Sequence, residues 1–211
     1  MKIRPVQALM NLYRLRVLAP ISLLLMFTNA RVCRADSWKL PAPLDDSNTS
    51  ITFVVDSTWH TVHGSTTGVT GHVELENPKD PLSVRAELSI PVSFFNTDGE
   101  SRDDRLREVM ASALFPTVSF TSSRLSESCA PQKVAAASRC EGTLRGILKI
   151  RDVQKEIGLP VTITTDKDHF IVQGELPIRW ADFHVEDPSI LIAKLDPTVT
   201  ITYRTLLPIY R

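Results

Sequence analysis

Between Leu82 and Phe94 the chain alternates without a break. Leu82, Val84, Ala86, Leu88, Ile90, Val92 and Phe94 alternate with Ser83, Arg85, Glu87, Ser89, Pro91 and Ser93. Successive side chains of a strand point to opposite faces, so this pattern predicts one long strand with a dry face and a wet face. Pro91 has no N–H to give a ladder and predicts a bulge or an unpaired position. Val199, Ile201 and Tyr203 alternate in the same way with Thr198, Thr200 and Thr202. Further strands are predicted over Ile51–Asp56, continuing brokenly through Trp59–His63, and over Gly68–Glu76, Thr117–Leu125, Gly142–Ile150, Ile157–Thr165, His169–Trp180 and Thr198–Leu206. Short links such as Asn77–Asp80 and Asp166–Asp168 have turn chemistry. Consecutive strands with one apolar face each predict an all-β protein, an antiparallel up-and-down barrel of about eight strands. A β-sandwich is the alternative. A barrel of that size is filled by side chains or holds one small ligand.

One helix is predicted near residues 98–114. Thr97 followed by Glu100 fits a capping box. Leu106, Val109, Met110, Ala113 and Leu114 fall on one stripe. Asp103 and Arg107 are spaced to pair on the other side, and Phe115-Pro116 stops the helix. A lone helix with one apolar face among strands is expected to cap an end of the barrel.

Residues 1–35 form a separate object. Lys2, Arg4, Arg14 and Arg16 precede an uncharged apolar run, Val17–Phe27, and small residues come after it. This is the pattern of a secretory signal peptide, cleaved after Ala35 or after Ala30. The run is too short to span a bilayer, which takes roughly 20 residues. Residues 36–48 are expected to be a flexible lead-in and 49–207 the folded domain. All six charged residues of the leader are basic, so the remainder carries 18 basic against 24 acidic residues. That balance excludes an electrostatic nucleic-acid binder. Export also suits the cysteines. Cleavage after Ala35 removes Cys33 and leaves Cys129 and Cys140, and an oxidising compartment predicts a disulfide between them. The expected location is periplasmic or secreted.

Chemistry-bearing motifs are sparse. His60 and His63 are three apart on a strand and point to opposite faces, which is wrong for one metal. His72, His169 and His184 have no ligand spacing with Cys, Asp or Glu. There is no phosphate-binding glycine loop and no serine elbow. Arg102-Asp103-Asp104-Arg105 reads as a salt-linked helix start, with an anionic headgroup site or a catalytic acid as the sharper alternatives. No catalytic residue, metal or cofactor is expected.

Arg102-Asp103, Leu106, Phe115-Pro116 and Phe120 resemble the RD…L…P…F signature of the YceI-like polyisoprenoid-binding family. Ile51-Thr52-Phe53 and Gly71 are similar to its first hairpin. Gly142-Thr143-Leu144, Gly146 and Pro160-Val161 are similar to its central one. His60–Gly64, Trp180 and Asp187-Pro188-Ser189 resemble segments of one of its branches. The likeness spans roughly residues 48–206. It implies a lipocalin-like barrel, exported, holding a polyisoprenoid, an isoprenoid quinone or a related lipid.

The alternation puts Phe53, Val55, Leu88, Ile90, Phe94, Phe120, Leu148, Ile163, Leu176, Trp180, Val199 and Ile201 on apolar strand faces. In a barrel those faces converge inside and become the candidate ligand contacts, with Leu106 and Met110 added from the helix. The expectation is a non-catalytic protein with an apolar lipid as partner and a transient contact with a membrane surface. An enzyme acting on a bound isoprenoid, and a filled barrel serving as an interaction module, are the alternatives.

Overall fold

The computed structural model describes residues 37–130, 133–134, 137–189 and 194–210. The chain divides into two units, Met1–Cys33 and Arg34–Arg211, and the leader lies outside the described residues. The strands of the second unit are β1 (Ser37–Trp38), β2 (Ala42–Asp45), β3 (Thr49–Asp56), β4 (Thr61–Thr66), β5 (Thr70–Leu75) and β6 (Val84–Pro91). After helix α1 (Glu100–Val109) come β7 (Thr117–Leu125), β8 (Arg139–Ile150), β9 (Val153–Asp166), β10 (His169–Arg179) and β11 (Thr198–Tyr210).

All pairings are antiparallel. The sheet order is β2-β5-β6-β7-β8-β9-β10-β11-β3-β4, with β1 beside the end of β11. From β5 to β11 this is the predicted meander, and the sheet curls into a barrel. At the turn between β2 and β3 the β2 edge is brought back against β11. There the Asn48 amide donates to the Pro43 carbonyl at 2.8 Å and the Asn48 carbonyl accepts from Leu206 N–H at 2.8 Å. The Asp46 carboxylate accepts the N–H groups of Gly68 and Val69 at 2.8 and 2.9 Å.

Residues 36–48 are therefore not simply a lead-in. Ala42 and Leu44 are buried, and β2 pairs with β5 from Ala42–Val73 to Asp45–Thr70. Four residues with a proline carry too little periodicity to read as a strand.

The long strand also ends early. β6 stops at Pro91, and Val92–Phe94 is a 3-10 turn whose first N–H donates to the Pro116 carbonyl at 2.9 Å. The turn breaks the two-residue phase. Val92 is fully buried, whereas Phe94 is 52 % exposed, its side chain lying over Gly68. Phe94 is thus no interior residue.

Helix α1 is shorter than its stripe. Gly99 sits at its cap without a side-chain bond. Thr97 N–H and hydroxyl instead both donate to Asp103 Oδ1, at 2.8 and 2.6 Å. A carboxylate in the first turn also suits the helix dipole. Asp103 is buried by this use, so Arg107 pairs with Asp104 at 2.7 Å rather than with Asp103. Ala111 takes φ 48°, the left-handed region, which ends the helical path. Val109 and Met110 are buried in the main apolar cluster and Leu106 packs against it. Ala113 is exposed and Leu114 is 77 % exposed.

The β6–β7 ladder stops at Glu87–Thr121, where Ser122 Oγ bridges to Ala86 N–H and the Val84 carbonyl, and a longer gap lies between β9 and β10. β8 pairs with β9 from Val153 to Thr164, and β11 pairs with the whole of β10. β9 and β10 pair with each other only from Thr162–Gln173 to Asp166–His169. Val153–Val161 and Gly174–Arg179 have no ladder between them, so the barrel wall carries a slot. Two prolines without N–H groups, Pro160 and Pro177, lie along it.

Candidate ligand cavity

Nine strands, β2, β3 and β5 to β11, send side chains into one cavity. The unfilled space is about 1110 Å³ with the open solvent at the mouth included, and about 160 Å³ of it admits the centre of a water-sized sphere. One water needs roughly 10–15 Å³ on the second measure, so the barrel is not filled by its side chains. Among the described residues the lining is aliphatic and aromatic apart from the polar groups of Thr49, Ser119, Tyr203 and Thr205, and no charged side chain contributes to it.

Those polar groups are mostly satisfied by the wall. Thr49 Oγ1 donates to Asn48 Oδ1 at 2.9 Å and lies 3.2 Å from Thr205 Oγ1. The Tyr203 hydroxyl donates to the Pro160 carbonyl. Burial pushes the Tyr203 phenol above its usual pKa, so it stays a neutral donor. Among the described residues the lining has no nucleophile set beside a base. Among the described residues there is no cluster of three or more His, Cys, Asp or Glu suited to a metal, and no helix long and apolar enough to cross a membrane.

Of the residues expected inside, Leu88, Ile90, Phe120, Leu148, Ile163, Leu176 and Ile201 line the cavity. Phe53 does not: its ring fills the space beside Gly64 and tilts against Phe95, with centroids 5.7 Å apart. Val55 and Trp180 are buried outside the lining, and Val199 is half-buried opposite Ile178. Leu106 and Met110 join the packed cluster without reaching the lining. Arg102, the headgroup alternative, is committed to Thr97, donating from Nη2 to its carbonyl at 2.6 Å.

Several lining residues lay within reach of the same pattern. Val84 and Ala86 precede Leu88 in steps of two, Ile157, Leu159 and Val161 precede Ile163, and Tyr203, Thr205 and Leu207 succeed Ile201. Leu44 had no such signal, because β2 is too short to show a period.

At one rim, side chains tie three elements together. Arg151 donates to the Val109 carbonyl at 3.2 Å and to the His184 carbonyl. His184 Nδ1 lies 3.0 Å from Asp152, and Lys155 lies 3.7 Å from Asp182 and over the Phe183 ring. Toward the other end, Cys129 and Cys140 are bonded, with Cα atoms 5.3 Å apart, and Cys129 and Val134 are buried.

Fold and cavity together define a single-chain antiparallel barrel of the lipocalin-like kind with an apolar interior. The YceI-like domain model matches residues 43–206, and the chain belongs to that family. Three solved structures share the fold. BcnA of Burkholderia cenocepacia is 18% identical with a TM-score of 0.61, the match covering 77% of this chain and 96% of that one. A polyisoprenoid binding domain from Saccharophagus degradans, implicated in plant cell wall breakdown, is 15% identical with a TM-score of 0.60, covering 79% and 96%. The Campylobacter jejuni YCEI protein is 16% identical with a TM-score of 0.57, covering 71% and 86%. No curated protein matches the chain.

Proposed function

We propose that the protein is a non-catalytic carrier that holds one long apolar chain, of the polyisoprenoid or isoprenoid-quinone class, inside its barrel. The observation that carries this reading is an unfilled cavity lined by apolar strand faces, with no charge among its described lining side chains. Each buried methylene is worth roughly 0.8 kcal/mol, so a long chain binds without a polar anchor. The family match and the polyisoprenoid-binding neighbour support the same class. We place the mature protein outside the cytoplasm, released by cleavage of the leader. The basic start, the short apolar run and the Cys129–Cys140 bond support export.

Organic extraction of protein purified from its own host, with mass spectrometry of the extract, tests the reading. A stoichiometric prenyl lipid or quinone is expected. Protein that carries none, and takes up none of a quinone and polyprenol series, rules it out.

A further inference from the structure

We propose that the apolar ligand passes in and out sideways, through the slot between β9 and β10, with the Tyr203–Pro160 hydrogen bond as the latch at its narrow end. This rests on the lipid-binding reading above. The slot belongs to the fold and is no frayed edge. β9 is held along its other side by β8, and β10 by β11, over the length where they fail to pair with each other. Both ends of the slot are bounded. At the upper end the ladder stops at Thr162–Gln173, and Tyr203 reaches from β11 across Gly174 of β10 to the Pro160 carbonyl of β9. At the lower end Arg151, Asp152 and Lys155 meet Asp182 and His184.

The stretch between, Glu156–Pro160, is roughly 15 Å long at about 3.3 Å per residue. A chain lying along it enters lengthwise instead of threading end-on. The inner lips are apolar: Ile157, Leu159 and Leu176 line the cavity yet are only half-buried. The barrel ends offer less. Val109, Met110 and Phe183 are buried at the helix end, and Cys129 and Val134 toward the other.

A bar across the slot tests this. Glu156 and Pro177 are exposed, face outward and lie outside the lining. Glu156→Cys with Pro177→Cys, in full-length protein carrying Cys33→Ser, is joined after folding by a flexible bismaleimide, with the link verified by mass. Retinol, a fluorescent isoprenoid, is the probe. Uptake is expected to slow at least about tenfold against the singly substituted, equally treated proteins. Retinol loaded during refolding, before the link is made, should be retained by the barred form. Tyr203→Phe should raise uptake and release rates together, which a simple loss of affinity does not do. A barred protein that loads as fast as the single variants overturns the portal while leaving the binding reading intact. Wild type that takes up no retinol and carries no lipid overturns both.

Discussion

Tyr203 of β11 and Gly174 of β10 are directly paired in the sheet, and the Tyr203 phenol passes over Gly174 to donate to the Pro160 carbonyl. A Cβ at position 174 would stand inside contact distance of both the phenol and that carbonyl oxygen. Gly174→Ala is therefore expected to cost about 1–3 kcal/mol, the usual range for overpacking, as a shift in urea midpoint. Adding Tyr203→Phe should recover only part of the loss, because the Pro160 oxygen is backbone and cannot swing away.

The same phenol predicts an alkaline signature. Its folded pKa is raised by burial, so its contribution to stability is full below pH about 10, the unfolded value. It is lost as pH climbs through the folded value. The stability difference between wild type and Tyr203→Phe should be flat from pH 7 to 9 and should fall above pH 10 at wild type's expense. Urea titrations across that range check it; a flat difference to pH 11 would mean the phenol is solvated.

The helix divides its two apolar ends. Met110 is buried in the main cluster, whereas Leu114 lies beyond the Ala111 turn in solvent. Met110→Ala should cost about 2–5 kcal/mol through the cavity it leaves. Leu114→Ser should stay within about 0.5 kcal/mol of wild type. Equal effects in thermal or chemical unfolding would contradict this docking.

The places where sequence and structure part have local causes. The alternation in Val84–Ile90 showed which faces turn inward, because period two survives wherever a strand is long. It failed at Val92–Phe94, where a 3-10 turn restarts the phase, and at Ala42–Asp45, where the strand is too short to have one. Thr97 was legible as a partner of the helix start, but the acceptor is Asp103 rather than a box with Glu100. The slot was hidden for a different reason. A ladder is a relation between distant residues, and Pro160 and Pro177 show as missing donors only once β9 and β10 are known to be neighbours.

The Cys129–Cys140 bond closes a short loop whose Cys129 and Val134 are buried in the core cluster. Replacing both cysteines by alanine should lower stability by roughly 3 kcal/mol on the chain-entropy model and leave the far-ultraviolet spectrum of the barrel. Denatured, unreduced mature protein should show no titratable thiol at these positions. Two thiols would mean that the pair is open.

Narrowing the cavity tests binding directly, and the structure decides where. Ala86 and Gly146 both present themselves as small inward-facing positions. A side chain at Gly146 would meet the Thr121 carbonyl and the Phe120 ring, at 2.5 and 2.7 Å from its first carbon, so a change there would disrupt the wall. Ala86 lines the cavity itself, its N–H held by Ser122 Oγ at 2.7 Å. That side-chain-to-backbone bond is untouched by what occupies the side-chain position. Ala86→Trp should therefore fill the space a ligand needs while keeping the β6 backbone in place. The expected outcome is loss of co-purified lipid and of retinol uptake by at least about tenfold, with circular dichroism unchanged. Ala86→Ser, close to alanine in size, should retain most of the binding. A folded Ala86→Trp protein that still carries its full complement of lipid would show that the ligand lies somewhere other than this cavity.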